Sequence, residues 1–361
     1  MFKIKSFFLI SITVLVLSEI ISFVFYKLNL LEISHVPKLY LSDNFVPNDE
    51  WWIENKPWGA WHIPNSSTKQ KKSCYDVTYT SNEIGARDTS FKDNADEDVI
   101  LIGDSFAEGY GVNLQNTSQK YIENLTKRNV LNFGVSYNFG PVQYSIIYEN
   151  LAKNFKHNTV IVYLLPNNDF GENDYSNWEG SKRYRPYYKL INDNTYKVFF
   201  PAESKKNYKS KTKKIKKLFK DTFWTSNIFI NLNYNYKIYR SNKKNSSKTF
   251  SGYFDSSLKQ QKAAIYFLNK IINKNSSNVL LVSIPRPSDY ERLNNGFKLK
   301  DIYWNNYFTN KDLSNNKFKF IDLINYLPDN LNKIYLECDG HWSPEGNLWA
   351  AKIISKYVNM N

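Results

Sequence analysis

Five residues of the 361-residue chain carry the groups that acyl transfer through a serine requires. Ser105 becomes a nucleophile when a base removes its proton, and of the four histidines only His341 has a carboxylate two positions earlier, at Asp339. Gly134 lets the backbone approach a ligand closely, and the Asn168 carboxamide is a neutral donor for an oxyanion. Each residue alone is a weak signal, but their order along the chain favours one shared site.

Short apolar runs precede most of these residues and predict the elements that position them. The runs are Val99–Ile102, Val130–Phe133, Thr159–Leu165, Val279–Ile284 and a weaker Phe318–Leu323. Runs of this length, separated by helical patterns, predict a parallel sheet covered on both faces. The predicted helices are Pro141–Phe155, Ser256–Asn273 and Asn347–Val358, the last with Ser343 as its N-cap and Pro344 in its first turn. The sequence therefore predicts a doubly wound α/β domain, whose ligands bind beyond the carboxyl ends of the strands.

Four blocks of this sequence resemble those of the SGNH (GDSL-type) hydrolase family. They are ILIGDSFAEGYGV (Ile100–Val112), LNFGVSYNFG (Leu131–Gly140), PNND (Pro166–Asp169) and DGHWSPEGN (Asp339–Asn347). The resemblance extends from Val99 to the C-terminus and implies a flavodoxin-like three-layer α/β/α fold with a central parallel sheet. The preceding TSNEIGARD segment (Thr80–Asp88) is similar to one found in membrane-anchored members, and Arg87 in it is interpreted as structural.

The resemblance also implies a role for each of the five residues. Ser105 attacks an ester carbonyl, His341 is the general base, and Asp339 holds the imidazole. The Ser105 amide, the Gly134 amide and the Asn168 carboxamide stabilise the oxyanion. The mechanism requires neither a metal nor an organic cofactor.

Two positions depart from the family pattern. Pro166 stands where the third block usually has a glycine, which could shift the loop that carries Asn168. Asp339 lies two residues before His341, whereas the acid of the family usually lies three residues before. The Asp-x-His-Trp form is similar to that of family branches related to polysaccharide O-acetylation proteins.

The N-terminus predicts a membrane anchor. Phe7–Tyr26 is a 20-residue apolar stretch with a single charge, Glu19, and about 20 helical residues span the hydrocarbon core of a bilayer. A cleavable signal peptide has a shorter apolar region that ends at a small-x-small site, and no such site follows here. Because Lys3 and Lys5 precede the stretch, we expect a cytoplasmic N-terminus and an extracytoplasmic catalytic domain, periplasmic in a Gram-negative source.

Composition and element pattern predict three regions. Residues 1–26 form a cytoplasmic tip and transmembrane anchor, and residues 27–95 form a membrane-proximal region rich in Trp and Pro. Residues 96–361 form the SGNH hydrolase-like domain, with an insertion at about 172–255. The insertion contains a predicted hairpin, Tyr187–Leu190 and Tyr196–Phe199.

Much of the formal net charge of +14 lies in one segment. Lys205–Lys220 contains nine lysines and no acidic residue. A basic run can bind nucleic acid, but no nucleic-acid-binding motif accompanies it, and the predicted location outside the cytoplasm argues against that partner. Anionic lipid or an acidic glycan is the expected partner, and a solvated helical face is the alternative.

The cysteines and the remaining histidines exclude several classes of site. Two cysteines rule out a disulfide framework, and four histidines make a multi-histidine metal site unexpected. His35, His62 and His157 are expected to be structural or solvent-facing. Pairing of Cys74 with Cys338 is possible outside the cytoplasm and stays open at this stage.

Three functions are compatible with these observations. The first is an esterase anchored in the inner membrane that removes an O-acyl group, foremost an O-acetyl group, from a carbohydrate or cell-envelope glycan. The second is an O-acetyltransferase component of exopolysaccharide modification that uses the same serine. The third is a non-catalytic glycan-binding scaffold, against which the complete set of site residues argues.

Overall fold

The computed structural model describes residues 2–28, 30, 36–41, 45–46, 50–91, 98–179, 184–192, 195–201, 211–244, 250–274 and 277–359. The chain divides into two compact units. The first comprises Met1–Trp51, Ser66–Tyr79 and Tyr208–Lys248, and the second comprises Trp52–Asn65, Thr80–Asn207 and Thr249–Asn361. The region boundaries predicted at residues 26 and 95 stay predictions.

The strands and helices are numbered in chain order. The strands are β1 (Trp52–Lys56), β2 (Gly59–His62), β3 (Ser67–Lys72), β4 (Tyr75–Thr80), β5 (Val99–Ile102), β6 (Val130–Asn132), β7 (Thr159–Leu164), β8 (Tyr187–Asn192), β9 (Thr195–Phe199), β10 (Asn278–Ser283) and β11 (Phe318–Asp322). The helices are α1 (Phe2–Lys27), α2 (Ser105–Glu108), α3 (Ser118–Thr126), α4 (Pro141–Asn150), α5 (Pro166–Glu172), α6 (Lys211–Thr222), α7 (Trp224–Lys244), α8 (Gly252–Asp255), α9 (Leu258–Lys274), α10 (Pro287–Asn294), α11 (Tyr303–Ser314), α12 (Leu331–Ile334) and α13 (Pro344–Val358).

A five-stranded sheet lies at the centre of the second unit. Its strand order is β11-β10-β7-β5-β6, and every neighbouring pair is parallel. This is the flavodoxin-like order, in which the first strand of the sheet lies between the second and the third. The predicted central parallel sheet is confirmed.

Both faces of the sheet are covered by helices. Successive strand residues point to opposite faces, so Ile100 and Ile102 join a core with residues of α4, α9 and α11. Val99 and Leu101 join a second core with residues of α3 and α13. All residues of β5 and β7 are buried, which explains why these strands are continuous apolar runs. The predicted three-layer α/β/α fold is confirmed.

The predicted elements agree with the structure to within a few residues, with one helix shorter than predicted. Helix α4 ends at Asn150, because Leu151 leaves helical geometry and a short 3-10 helix, Ala152–Asn154, follows. The antiparallel hairpin of the insertion forms as β8 and β9, although residues 193 and 194 of its turn lie outside the described residues. Helix α13 begins with the predicted cap, since the Ser343 Oγ accepts a hydrogen bond from the Gly346 N–H at 3.1 Å.

The first unit contains α1, the small β3–β4 sheet, α6 and α7. Within α1, Lys5–Lys27 contains an 18-residue window with a mean hydropathy of 2.4 and is long and apolar enough to cross a membrane. Helix α6 contains the second part of the lysine run, whereas residues 205–210 and His35 lie outside the described residues. Neither cysteine of the chain has a free thiol.

We expect Ser343→Ala to lower the free energy of unfolding by about 1 kcal/mol, since the first turn of α13 loses its cap. In the full chain in detergent, the thermal midpoint should fall by roughly 2–4 °C. Ser355→Ala is the matched control, because Ser355 is buried in the same helix and its hydroxyl has no partner among the described residues. Equal midpoints for the two variants would contradict the capping role.

Candidate active site

Ser105 is the first residue of the short helix that follows the central strand β5. Gly103 and Asp104 connect the strand to α2, and Asp104 is the N-cap, since its Oδ1 accepts a hydrogen bond from the Phe106 N–H at 2.9 Å. The turn places the Ser105 hydroxyl at the carboxyl end of the sheet, the edge at which ligands bind in open α/β folds. The predicted nucleophile is thus at the predicted edge.

His341 approaches Ser105 from the other end of the chain. The Ser105 Oγ and the His341 Nε2 are 2.7 Å apart, although 236 positions separate the two residues. On its other side, the His341 Nδ1 is hydrogen-bonded to the Asp339 Oδ1. A proton on Nδ1, donated to the carboxylate, leaves the Nε2 lone pair directed at the hydroxyl. An acid only two positions before the histidine can therefore still hydrogen-bond to the ring nitrogen that faces away from Ser105.

Gly340 makes this spacing possible. Its φ of +76° lies in the left-handed region, which a residue without Cβ adopts at little cost. The turn lets Asp339 and His341 point to one another. A Cβ at position 340 would also lie 2.8 Å from the Arg286 Nη2, so the glycine leaves room for that guanidinium.

Two aromatic rings lie against the His341 imidazole. The ring centroid of His341 lies 5.0 Å from that of Phe106 and 4.6 Å from that of Tyr110. Phe106 also contacts Trp342 edge-on at 5.0 Å, and the Arg286 guanidinium lies 5.7 Å from the Phe106 ring centroid. Phe106, Tyr110 and Arg286 are not among the site residues predicted from the sequence. Phe106 and Tyr110 stand four positions apart in the first of the four sequence blocks, and this spacing is the sequence feature that could have identified them.

Gly134 packs directly against α2. A Cβ at this position would lie 2.4 Å from the Glu108 N and 2.6 Å from the Ala107 carbonyl carbon. Only a glycine allows the backbone after β6 to pass this close to α2. The Gly134 N–H donates a hydrogen bond to the Asn132 Oδ1 at 2.8 Å. The oxyanion role of Gly134 stays a prediction, and it requires that this amide be shared with, or released from, Asn132.

Asn168 lies in α5, which follows β7. The helix begins with Pro166, a residue that suits the first helical position because it needs no backbone N–H there. This explains why the chain tolerates proline in place of the family glycine. The half-buried Asn168 accepts a long hydrogen bond at Oδ1 from the Asn167 Nδ2, at 3.4 Å. That bond does not use the Asn168 Nδ2, and donation from Nδ2 to an oxyanion stays a prediction.

Two buried carboxyl groups lie behind the site. Burial raises the pKa of Asp104 to about 7. Burial and the nearby charge of Asp104 raise the pKa of Asp169 well above its usual range. Asp169 accepts hydrogen bonds from the Tyr144 hydroxyl at 2.9 Å and the Leu165 N–H at 2.8 Å. The Asp104 Oδ2 is buried without a hydrogen-bond partner among the described residues.

A buried ionic cluster holds the C-terminal end of α2. The carboxylate of Glu108 lies 3.5 Å from the His62 Nε2 and accepts a hydrogen bond from the Ser136 N–H. Burial acts to raise the pKa of Glu108, but the charges of His62 and Arg87 outweigh it and hold the pKa below its usual value. Arg87 donates hydrogen bonds to the carbonyl oxygens of Glu108 and Val112, at 2.8 and 2.6 Å. The structural interpretation of Arg87 and His62 is confirmed.

No family model matches this chain, and no curated protein matches it. Several solved structures do match this chain. A putative lipolytic protein of the G-D-S-L family from Desulfitobacterium hafniense DCB-2 has 12% identity and a TM-score of 0.39, over 72% of this chain and 98% of that one. A family 3 carbohydrate esterase from Clostridium thermocellum has 10% identity and a TM-score of 0.38, over 73% and 96%. A carbohydrate esterase family 2 enzyme with a carbohydrate-binding domain from Corynascus thermopiles has 12% identity and a TM-score of 0.39, over 74% and 67%. The chain is thus distantly similar to GDSL-type lipolytic proteins and carbohydrate esterases.

We expect Asp104→Asn to reduce the pH dependence of stability. Between the ordinary carboxyl pKa near 4 and the folded value of about 7, folding takes up a proton, so the free energy of unfolding falls as the pH rises through this window. For one such group, the free energy of unfolding changes by at most about 1.4 kcal/mol per pH unit. Thermal midpoints of the full chain at pH 5 and pH 8 measure it, and asparagine keeps the acceptor for Phe106. An unchanged pH slope would refute the assignment.

We expect Gly340→Ala to reduce turnover of an ester probe at least tenfold, because the added Cβ strains the left-handed turn and displaces Arg286 beside His341. Gly296→Ala is the matched control. Its φ of +89° gives a similar backbone strain, but no atom lies within 4 Å of the added Cβ. Rates are measured with the two variants at equal folded concentration. Equal rates would show that the turn does not position the Asp339–His341 pair.

Proposed function

We propose that this chain is a serine ester hydrolase that removes an O-acyl group, foremost an O-acetyl group, from a carbohydrate or cell-envelope glycan. The observation that carries the proposal is the 2.7 Å contact between the Ser105 Oγ and the His341 Nε2, with Asp339 hydrogen-bonded to the opposite ring nitrogen. A serine, an oriented base and an acid in this order form the arrangement that activates a hydroxyl for attack.

The reaction proceeds in two halves. His341 takes the proton of Ser105 as Oγ forms a bond to the ester carbonyl carbon. The tetrahedral intermediate collapses, the bond to the sugar oxygen breaks, and His341 transfers its proton to that oxygen, which leaves the acyl group on Ser105. Water then attacks the acyl-enzyme with His341 as the base, and the carboxylic acid and the free serine are released. Asp339 stabilises the imidazolium in both halves.

The oxyanion of each tetrahedral intermediate needs donors close to Ser105. The Ser105 N–H stands at the start of α2, where a backbone N–H has no acceptor within its own helix. Gly134 and Asn168 are the proposed second and third donors. Each donor of this kind contributes roughly 3–4 kcal/mol to stabilisation of the transition state in a serine hydrolase. The cost of releasing the Gly134 amide from Asn132 reduces its net contribution.

A carbohydrate substrate is supported by the surroundings of His341. Tyr110 is partly exposed and its ring lies against the imidazole, in a position to pack against the apolar face of a sugar ring. The basic residues before the apolar stretch of α1 support a cytoplasmic N-terminus, with the catalytic residues outside the cytoplasm, where cell-envelope glycans occur.

We expect the purified full chain in detergent to hydrolyse 4-nitrophenyl acetate. Ser105→Ala should reduce kcat at least about 1,000-fold and Asp339→Asn about 100-fold or more, since the first removes the nucleophile and the second the orienting acid. Ser314→Ala, on an exposed face of α11, is the control and should retain the wild-type rate. Equal activity of wild type and Ser105→Ala would contradict the hydrolase proposal.

An O-acetyltransferase is the second candidate, favoured by the Asp-x-His-Trp sequence and the short acid–histidine spacing that the structure accommodates. The two candidates share the acyl-enzyme and differ in what attacks it. Isotopically labelled acetyl groups separate them, since hydrolysis releases labelled acetate and transfer labels an added glycan. If neither occurs while the glycan still binds, the chain is a scaffold and both catalytic candidates fail.

A further inference from the structure

Glu19 is the single charged residue within the apolar stretch of α1, and the structure shows what satisfies it. Its two carboxylate oxygens accept hydrogen bonds from the backbone N–H groups of Trp224 and Thr225, at 2.8 and 3.0 Å. These are the first two residues of α7, a helix of 21 residues. An anion at a helix N-terminus satisfies N–H groups that have no intrahelical acceptor. Glu19 therefore caps α7 from a different helix.

Further contacts of the first unit extend this junction along α1. The hydroxyl groups of Ser22 and Thr225 are 3.1 Å apart. The Trp224 ring lies 5.7 Å from the Phe23 ring and 4.5 Å from the Tyr26 ring, between centroids. Trp224 and Tyr26 are buried together. The last two turns of α1 thus form a specific interface with the start of α7.

The position of Glu19 along α1 fixes the depth of this interface in a bilayer. Glu19 lies eight residues before Lys27, the end of the candidate span, and eight helical residues rise about 12 Å. The hydrocarbon core is about 30 Å thick. When Lys5–Lys27 spans the membrane, the start of α7 lies inside the hydrocarbon region of the leaflet next to Lys27.

The first turns of α7 bury polar side chains and expose large apolar ones. The residues that the helix buries include Asn227 and Asn231 as well as Trp224 and Ile228. Its exposed large apolar and aromatic side chains are Phe229, Ile230, Leu232 and Tyr236, and the exposed polar residues that the structure describes on this helix are Asn233 and Arg240. Phe229 is 68% exposed. Water disfavours this arrangement, whereas lipid favours it, because apolar side chains then face hydrocarbon and polar groups find partners inside.

Helix α6 has the pattern of a helix that lies in the membrane interface. Ile215, Leu218 and Phe219 recur at helical spacing and are all exposed. Lys216 and Lys217 lie between them on the other side of the helix, and the Lys217 Nζ contacts Asp221 and Glu50 of the same unit. Apolar residues on one face and lysines on the other are typical of helices at a lipid surface, where lysines reach the headgroups.

We propose that α6 and α7 form a second membrane element, embedded in the leaflet next to Lys27 and held on α1 through Glu19. The ligand of its exposed apolar surface is the bilayer, and Lys216 and Lys217 of α6 meet anionic headgroups. Because the junction uses Glu19, Ser22 and Tyr26, α1 is a retained anchor and not a cleaved leader. Helix α6, the described part of the lysine run, thereby lies at the membrane surface, whether or not Ser105 is catalytic.

Spin labels on the full chain test this proposal. The chain is reconstituted in vesicles of phosphatidylcholine and phosphatidylglycerol at a ratio of about 3:1, which supplies the anionic headgroups that basic helices bind, with a nitroxide on Phe229→Cys or Leu232→Cys. Since neither native cysteine has a free thiol, labelling without reductant modifies only the introduced one. Leu15→Cys in α1 is the lipid reference, and Leu313→Cys, 83% exposed in α11, is the water reference.

The labels at positions 229 and 232 should be reached by oxygen and protected from a water-soluble nickel complex, as at position 15. Accessibility to nickel equal to that at position 313 would overturn the proposal. Protection from both oxygen and nickel would also overturn it, because a second copy or another protein would then cover the surface.

Two further measurements address Glu19 and the retained anchor. Glu19→Ala should increase the nickel accessibility of the label at position 229 severalfold, because α7 loses its cap, whereas Glu19→Gln, which keeps one acceptor oxygen, should have a smaller effect. Equal accessibility in wild type and Glu19→Ala would refute the capping role.

The intact mass of the protein extracted from membranes should include residues 1–27. A mature chain that begins after residue 27 would overturn the proposal.

Discussion

The hydrogen bond between Ser105 and His341 is the constraint on which the second unit depends. It joins two residues 236 positions apart at 2.7 Å, so every element between them must place both at one edge of the sheet. The parallel order of the strands does this, since β5 delivers Ser105 and the loop before α13 delivers His341. A Cβ at Gly134 would collide with the backbone of α2, and a Cβ at Gly340 would collide with the Arg286 guanidinium.

The sequence carried most of the information about this framework. Apolar runs identified all five strands of the central sheet, because a strand buried on both faces must be apolar at every position. Ser343 and Pro344 identified the start of α13, because capping needs a particular side chain at a particular position. The motif residues Ser105, Asp339 and His341 could be named for the same reason, since their chemistry admits few alternatives.

Other features could not be predicted, because they depend on neighbours that are distant in sequence. Nothing local reveals that the Gly134 amide is bonded to the Asn132 side chain, or that Arg286 reaches the Phe106 ring. Glu19 is the strongest example. In sequence it is a carboxylate that weakens a membrane span, and only the structure shows that α7 begins at its side chain, 205 positions away. Helices α6 and α7 of the insertion thus belong to the same unit as the anchor, although composition separates them.

Covalent labelling tests most directly whether His341 activates Ser105. The full chain is treated with a fluorophosphonate probe, which reacts with activated serines, and the modified peptide is located by mass spectrometry. We predict one adduct, on Ser105, with a labelling rate that falls at least about 100-fold in His341→Ala, because the serine loses its base, and is unchanged in Ser314→Ala. An adduct at another serine, or undiminished labelling of Ser105 in His341→Ala, would show that His341 does not activate Ser105.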